Sequence, residues 1–332
     1  MPKSIDLKEL ENLLEDAEAF ADVSARYFEC RHGPDGKLQV QLRDGVTVTA
    51  SGGDSGSRYW NYVFDDLDGG IAGWLIRTEM KNRLKKYRRK IAANKQALRI
   101  VAEGDSWFQH PLIHDLLDWL EREPDFAVFS LASGGATLEQ MLKPKDYLQA
   151  VNDEKPSVFL LSAGGNDFLG DIRPFLLPWK PKRGATSTEY DPKDYISAEF
   201  DALLVRLRGW LDIVVGDVLG QRSVKRVLLH GYDYILPNSA DDDRSGGWIG
   251  KPMRELKITA DYLQAGIVRL MVDRYCEVLQ SVAADPRWKG KVRFVDFRGS
   301  LKRDYHWFDE IHPDSKQNRK LAEKMAVSIR AA

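Results

Sequence analysis

The sequence predicts an α/β protein, a three-layer α/β/α fold of flavodoxin-like plan around a parallel five-stranded sheet. The first observation is a set of apolar runs without polar alternation, which is typical of strands buried on both faces. The second is the helical spacing of apolar residues between the runs, and the third is a glycine-containing turn after each run. The five runs occupy residues 98–102, 126–132, 157–163, 224–230 and 292–297.

Composition defines the broad class of the protein. The chain has 332 residues, 43% of them apolar and 30% charged, with a formal net charge of −1. This balance is ordinary for a globular protein and gives no argument for a nucleic-acid partner. The N-terminus does not match a signal peptide, and no apolar stretch approaches the roughly 18 to 20 residues that span a bilayer. Cys30 and Cys276 fit no disulfide or metal spacing, so we expect a cytoplasmic protein.

Residues 1–96 precede the α/β domain, which we place at 97–332, and are predicted to form a small α+β region. Leucine spacing predicts a helix at 7–21, and a longer helix is expected from 71 to about 95. Three alternating runs separated by Gly/Asp-rich breaks predict a β-meander between them. These runs are 24–30, 37–42 and 46–50. The region carries no chemical motif, and it could complete the fold, mediate oligomerisation or select a partner.

The long helix is strongly basic. Residues 77–99 contain ten Lys or Arg residues and a single acidic residue, Glu79. One interpretation is a helix that contacts an anionic membrane surface or an acidic partner. The other is the solvated face of a helix docked on the α/β domain, which we favour because the chain as a whole is nearly neutral.

Chemically useful residues follow the predicted strands at their carboxyl ends, where ligands bind in such sheets. Ser106 ends a Gly-Asp-Ser tripeptide after the first run, and the spacing behind it predicts a helix N-terminus that favours negative charge. Asn166 follows the third run, and Asp309 and His312 follow the fifth. A second Gly-Asp-Ser places Ser55 after an alternating run outside this domain, so Ser55 is predicted to be a loop serine.

Four short motifs at these strand ends resemble the signature of the SGNH, or GDSL-type, hydrolase family. The resemblance implies a serine esterase that works through an acyl-enzyme, with no metal and no organic cofactor. Ser106 is then the nucleophile, His312 the base that activates it, and Asp309 the carboxylate that orients the imidazole. The motifs, in chain order, are Gly-Asp-Ser at 104–106, Gly-Ala-Thr at 135–137, Gly-Gly-Asn-Asp at 164–167 and Asp-x-x-His at 309–312.

The same resemblance implies an oxyanion hole, the set of donors that stabilises the tetrahedral intermediate. Its donors are the backbone N–H of Ser106, the backbone N–H of a glycine in the second motif and the side-chain amide of Asn166. Of the two glycines we prefer Gly135, because it lies two residues before Thr137 as in the family pattern. Gly134 is the alternative.

Other polar residues near the motifs have simpler interpretations. His110 and His114 are four residues apart and suit a metal in spacing, but no third ligand is apparent beside them, so we expect no metal. His306 is expected to be structural. Asp105 and Asp167 are expected to shape their loops by accepting backbone hydrogen bonds rather than to take a catalytic step.

Aromatic side chains near the strand ends predict a fairly apolar pocket, which favours an acyl or aryl ester of a small-molecule or lipid-like kind. Two long segments at 171–196 and 232–253 follow strand ends, and we predict that they overhang Ser106 as lids. The candidate pocket aromatics are Trp107, Phe108, Trp179, Tyr232 and Trp248.

The resemblance leaves the substrate and the acyl-chain length open. A carbohydrate O-deacetylase, a lysophospholipase and a thioesterase of the same family are the enzymatic alternatives. A binding or scaffold protein with the same fold and an unused site is the alternative from another class. The oligomeric state is not predicted.

Overall fold

A computed structural model describes residues 4–32, 38–49, 70–181, 190–237, 247–301 and 306–331 of the chain. Nine strands lie within these ranges. They are β1 (Ser4–Asp6), β2 (Phe28–His32), β3 (Leu38–Leu42), β4 (Thr47–Thr49), β5 (Leu98–Gly104), β6 (Phe126–Ser130), β7 (Val158–Ser162), β8 (Arg226–His230) and β9 (Val292–Val295).

The same ranges contain eleven α-helices and three single 3₁₀ turns. The helices are α1 (Leu7–Leu14), α2 (Phe20–Tyr27), α3 (Gly70–Ala93), α4 (Leu116–Leu120), α5 (Leu138–Leu142), α6 (Asp146–Glu154), α7 (Gly165–Leu169), α8 (Ala198–Leu219), α9 (Gly250–Glu255), α10 (Asp261–Ala283) and α11 (Ser315–Arg330). The 3₁₀ turns span Arg173–Phe175, Pro192–Tyr195 and Pro286–Trp288.

The central sheet confirms the predicted fold class. Strands β5 to β9 pair in parallel in the order β6-β5-β7-β8-β9. Each of the five apolar runs supplies one strand, and all five residues of β7 are buried. A strand covered on both faces has no solvated side, which explains why its sequence does not alternate.

The strand order creates a switch point between β5 and β7. The chain passes outward from β5 to β6 and then returns across β5 to β7. Because such crossovers are right-handed, α4 is placed on one face of the sheet and α5, α6, α8 and α10 on the other. The packing agrees, since α4 contacts α11 while α5, α6 and α10 each contact α8. The carboxyl ends of β5 and β7 therefore border a crevice of the kind that binds ligands in this fold.

The N-terminal region differs from the predicted β-meander. Strands β2 and β3 form an antiparallel hairpin, but β4 pairs in parallel with β1. Most of the run 24–30 is helical, because α2 buries Phe20 and Tyr27 on one side. These two side chains share an apolar core with Leu75 of α3 and Leu112 of the α/β domain. The region is thus packed against the domain that follows it.

The basic helix α3 is docked along most of its length. It packs on the edge strand β6 and on the hairpin strand β3. Arg83 is buried, and Lys86 pairs with Glu18 at 3.2 Å and with Glu121 at 3.7 Å. These contacts support the docked interpretation, and contact with an anionic surface stays a prediction. The exposed basic residues of the segment are Lys81, Lys85, Arg88, Arg89, Lys95 and Arg99.

The predicted lid segments are described in part, because 182–189 and 238–246 lie outside the described residues. In the first segment, Leu176 forms an antiparallel bridge with Ile196, and the N–H of Trp179 donates to the carbonyl of Leu256 at 2.9 Å. The second segment ends in α9. Their role as lids stays a prediction. Among the described helices, none combines the length and the apolarity needed to cross a membrane.

Candidate active site

A hydrogen-bonded chain of three side chains lies at the carboxyl edge of the sheet. Nε2 of His312 lies 2.7 Å from Oγ of Ser106, and Nδ1 of His312 lies 2.8 Å from Oδ2 of Asp309. The other carboxylate oxygen of Asp309 accepts the backbone N–H groups of Ile311 at 2.8 Å and His312 at 2.7 Å. One carboxylate thus fixes both the turn that carries His312 and the orientation of its ring.

Charge determines the proton positions in this chain. Burial raises the pKa of the Asp309 carboxyl, but the neighbouring His312 lowers it by a larger amount. The net pKa is therefore below the ordinary value. Asp309 is therefore an ionised acceptor, which assigns the ring proton of neutral His312 to Nδ1. Nε2 is then the acceptor that faces the Ser106 hydroxyl. This is the tautomer in which an imidazole can remove the hydroxyl proton.

The loop that carries Ser106 is fixed from below by Asp105. The buried Asp105 carboxylate accepts the N–H of Trp107 at 3.1 Å, the hydroxyl of Ser162 at 2.7 Å and the hydroxyl of Tyr232. The expected loop-shaping role of Asp105 is confirmed. The expected helix directly behind Ser106 is wrong, because the chain passes through turns and α4 begins only at residue 116.

Glycine is required directly before this loop by close packing. A Cβ on Gly104 would lie 2.8 Å from both Cδ2 of Phe108 and Cβ of Ser162, a distance that real contacts do not reach. Gly104 also ends β5, and its carbonyl accepts the N–H of Ser133 at 2.8 Å. The glycine of the first motif therefore keeps the loops that follow β5 and β6 close together.

The candidate oxyanion donors lie around the same cavity as Ser106. Gly134, Gly135 and Asn166 all line it. Gly135 has a φ of +82°, a left-handed conformation that favours glycine, while the Asn166 amide donates to the carbonyl of Ala136 at 3.0 Å. An amide has two N–H groups, so one is left to face a ligand. Both glycines border the cavity, and the choice between them stays open.

Asp167 beside Asn166 has the structural role that was expected. Its carboxylate accepts the backbone N–H of Leu138 at 2.9 Å, at the start of α5. Burial raises its pKa to about 6. It therefore links the third motif to the helix that follows the second motif.

Four of the five predicted pocket aromatics do not line the cavity. Trp107, Phe108 and Tyr232 are 2%, 0% and 1% exposed and belong to the main core, so their assignment to the pocket is wrong. Trp179 is also absent from the cavity lining and packs instead on Tyr190. The reason is that these rings fill the space between the sheet edge and the loops above it, as the parallel stacking of Trp107 on Phe297 illustrates.

Trp248 is the predicted aromatic that does line the cavity. Its ring lies edge-on to that of His312, with the centroids 6.1 Å apart. Tyr232, which lies in the core and not in the pocket, has a structural role. Its hydroxyl donates to Asp105 and accepts the N–H of Gly165 at 3.0 Å. Tyr232 therefore ties the Ser106 loop to the loop that carries Asn166, a role that the sequence did not indicate.

The cavity has a volume of about 270 Å³, and part of its wall comes from the N-terminal region. Cys30, Val40, Ala72 and Ile76 line it together with Ser106, although no motif precedes residue 97. Burial raises the pKa of the Cys30 thiol to about 12, so this side chain is neutral. Alternating or helical apolar residues occur throughout the region, and nothing distinguishes these four in sequence.

His110 is close to His312 but has its own partners. The two rings meet edge to face with centroids 4.7 Å apart, and Nδ1 of His110 accepts the N–H of Leu112 at 3.3 Å. Burial, aided by the nearby His312, lowers its pKa to about 3, so His110 is neutral. His114 faces Asp118 and Asp22 at 3.6 Å instead, and the two histidines do not form the metal pair considered from their spacing.

A second network of charged side chains is buried next to the site. The buried Arg83 guanidinium lies 2.9 Å from Glu79, 2.7 Å from Asp115 and 3.1 Å from Asp118. The same oxygen of Asp115 accepts the backbone N–H of His110 at 3.1 Å. Helix α3 is thereby connected to the loop beside His312. Burial raises the pKa of Glu79 to about 7.

The fold and the site together define a class of protein. A parallel sheet with a Ser–His–Asp chain at its switch point, beside backbone and amide donors, is the arrangement of a serine hydrolase on an α/β/α fold. The chain belongs to the GDSL-like lipase/acylhydrolase family, whose sequence profile matches residues 100–325. The resemblance drawn from the four motifs is confirmed.

Solved structures with a similar fold are only distantly related in sequence. An extracellular lipase from Streptomyces rimosus is 15% identical, covers 70% of this chain and 99% of its own, and gives a TM-score of 0.46. A mutant of an acetylxylan esterase from Geobacillus stearothermophilus is 15% identical. It covers 70% of this chain and 93% of its own, and gives a TM-score of 0.40. No curated protein matches the chain.

Proposed function

We propose that the protein is a serine esterase that hydrolyses carboxylic esters through an acyl-enzyme. The observation that carries the proposal is the continuous hydrogen-bonded chain from Asp309 through His312 to Ser106, ending in a cavity. A serine hydroxyl is a weak nucleophile at neutral pH and needs an adjacent base. Here the base is 2.7 Å away and in the tautomer that accepts a proton.

Acylation follows from this geometry. Nε2 of His312 takes the hydroxyl proton as Oγ of Ser106 bonds to the ester carbonyl carbon, and the carbonyl oxygen becomes an oxyanion. The N–H groups of Ser106 and Gly135 and the amide of Asn166 stabilise that charge, with Gly134 as the alternative glycine. His312 then gives its proton to the departing alkoxide, and the C–O bond to the alcohol breaks. Asp309 stabilises the intervening imidazolium.

Deacylation repeats these steps with water. His312 removes a proton from a water molecule that attacks the acyl carbon, and the proton passes to Oγ of Ser106 as the acyl bond breaks. The acid is released and the resting state returns. His312 carries every proton that moves in these steps.

Labelling with a fluorophosphonate tests the proposal, because the reagent bonds to an activated serine. We expect the wild type to be labelled and Ser106→Ala to be unlabelled while still folded. Ser55→Ala is the matched control, since it changes the second Gly-Asp-Ser, which lies outside the described residues. Full labelling of that variant is expected. A folded wild type that stays unlabelled would overturn the proposal in favour of a binding or scaffold protein.

The class of ester is a further part of the proposal. We infer a small ester with an apolar component, because Trp248, Ile311 and Leu169 line the cavity beside the catalytic groups. A carbohydrate O-deacetylase, a lysophospholipase and a thioesterase are the alternatives. Rates on acetyl, butanoyl and octanoyl esters of one chromogenic alcohol separate the first two, since a deacetylase prefers acetyl and a lysophospholipase the longest chain, and faster turnover of the matching thioesters identifies a thioesterase. A cytoplasmic location stays a prediction.

A further inference from the structure

The N-terminal region supplies an apolar wall to the cavity, which we call the N-terminal wall. It consists of Cys30 of β2, Val40 of β3, and Ala72 and Ile76 of α3. These elements lie outside the sheet that carries the chemistry. Val40, Ala72 and Ile76 cannot ionise. Burial raises the pKa of the Cys30 thiol to about 12, so this side chain is also uncharged. The wall therefore offers no charged side chain that would bind a phosphate or a carboxylate.

The N-terminal wall is held in place from behind. Leu75 is fully buried and shares an apolar core with Leu112 of the α/β domain. Phe28 is also fully buried and packs edge-on against Trp74, with centroids 6.2 Å apart. Buried neighbours thus flank the lining residues on both β2 and α3. A wall anchored in this way can discriminate between ligands by size.

We propose that the N-terminal wall is the acyl-binding subsite of the enzyme. The inference rests on the proposed serine esterase function. The acyl group stays bonded to Ser106 through both half-reactions, whereas the alcohol departs once His312 has protonated it. An apolar wall beside Ser106 therefore gains most by holding the acyl group, which must remain while the alcohol is replaced by water. The N-terminal wall then selects the substrate through its acyl group.

The cavity volume limits the acyl chain that the cavity can enclose. About 270 Å³ equals the space of about nine water molecules, at about 30 Å³ for each. The carbonyl group and the bonded oxygen use part of it, which leaves room for a chain of about four to six carbons. Each buried methylene raises affinity about fourfold, so kcat/KM should rise from acetyl to this length and fall beyond it.

Variants of the N-terminal wall test the assignment on two series of esters. One series varies the acyl chain at a constant alcohol, and the other varies the alcohol at a constant acetyl group. Ile76→Ala enlarges the cavity and is expected to move the preferred acyl length up by about two carbons. Ala72→Leu fills it and is expected to move the preference down. We expect each shift to change the ratio of long-chain to acetyl kcat/KM by about tenfold.

Leu84→Ala is the matched control. Leu84 lies on the same helix and is partly buried against Tyr87 and Ala97, away from the cavity. Its acyl preference should equal that of the wild type. If both wall variants keep the wild-type preference, the acyl subsite is elsewhere. If they alter the alcohol series instead, the wall holds the alcohol and the assignment is overturned.

A photo-crosslinking experiment tests the subsite in the wild type, so its result does not depend on whether a variant folds. An alkyl fluorophosphonate with a diazirine at the end of a five-carbon alkyl chain is allowed to react with Ser106, whose Oγ displaces fluoride from phosphorus, and the adduct is then irradiated. We expect crosslinked peptides from residues 28–42 or 70–76. Crosslinks confined to other segments overturn the subsite, while absence of the phosphonate bond to Ser106 overturns the esterase proposal itself. The two failures are therefore distinguishable.

Discussion

Two networks of buried charged side chains meet at His110, and they serve different ends. The ring of His110 contacts His312 of the catalytic chain, while its backbone N–H donates to Asp115 of the Arg83 network. The catalytic chain has one carboxylate and ends at a hydroxyl that borders a cavity. In the Arg83 network the guanidinium is surrounded by carboxyl groups and is 4% exposed. Buried charge alone therefore does not identify an active site; an accessible reactive atom does.

The comparison predicts the largest effect for His312→Ala. Without its base, Ser106 loses activation in both half-reactions, so kcat/KM should fall by at least about a thousandfold. The free energy of unfolding should change much less, because one hydrogen-bonded side chain at a cavity edge is removed. Ester turnover and chemical denaturation measure the two quantities. Near-normal turnover of the folded variant would contradict the assigned triad.

The opposite outcome is expected for Arg83→Met. Removal of the guanidinium leaves Glu79, Asp115 and Asp118 buried without their cation, which costs about 3–5 kcal/mol of unfolding free energy. Chemical denaturation measures the loss. Arg89→Met is the matched control, because Arg89 is exposed on the same helix and its replacement should stay within about 0.5 kcal/mol. Equal stability of the two variants would mean that the Arg83 network does not hold α3.

Glu79→Gln sharpens the comparison through pH. Burial raises the pKa of Glu79 from 4.5 to about 7, so the folded protein holds this proton more tightly than the unfolded chain. The stabilisation is complete below about pH 4.5 and is lost as the pH rises through about 7. Gln cannot ionise, so the variant does not undergo this loss. From pH 5 to pH 8 the unfolding free energy of the variant, measured relative to that of the wild type, should therefore rise by about 2 kcal/mol. Denaturation at both pH values checks it, and parallel pH profiles would contradict the shift.

Tyr232→Phe has the smallest expected effect and probes the support of the catalytic chain. Loss of the hydroxyl removes the bond to Asp105 and the acceptor for the Gly165 N–H, which loosens the Ser106 loop. We expect kcat to fall about tenfold with little change in KM. Tyr275→Phe is the control, because its hydroxyl donates to the carbonyl of Ala163. If both variants lower kcat equally, the effect belongs to packing and not to the link.

Much of the α/β domain could be predicted from sequence. Buried parallel strands have non-alternating apolar runs, and their carboxyl ends must share one edge, so the motifs at 104–106 and 309–312 had to converge. The Asp309–His312 pair is also local, since both lie on one turn. Side-chain direction was not predictable in the same way. Trp107 and Tyr232 follow strand ends, yet they point into the core, which no residue spacing determines.

The role of the N-terminal region could not be predicted from sequence, and the reason is physical. Its role depends on contacts between residues far apart in the chain, such as Arg83 with Asp115, and these leave no periodic pattern. A count of basic residues in 77–99 gives the charge of the helix but not which residue faces inward. The lining by Val40 and Ile76 likewise follows from how α3 and the hairpin dock, which is decided by packing.

The separation of 206 positions between Ser106 and His312 has a consequence for synthesis. A nascent chain that has completed β5 already carries the nucleophile, but its base is not made until β9 and the following turn emerge from the ribosome. Closing so long a loop is also entropically costly and depends on the intervening strands being in place. A growing chain therefore lacks the assembled Ser106–His312–Asp309 site until the sheet is finished.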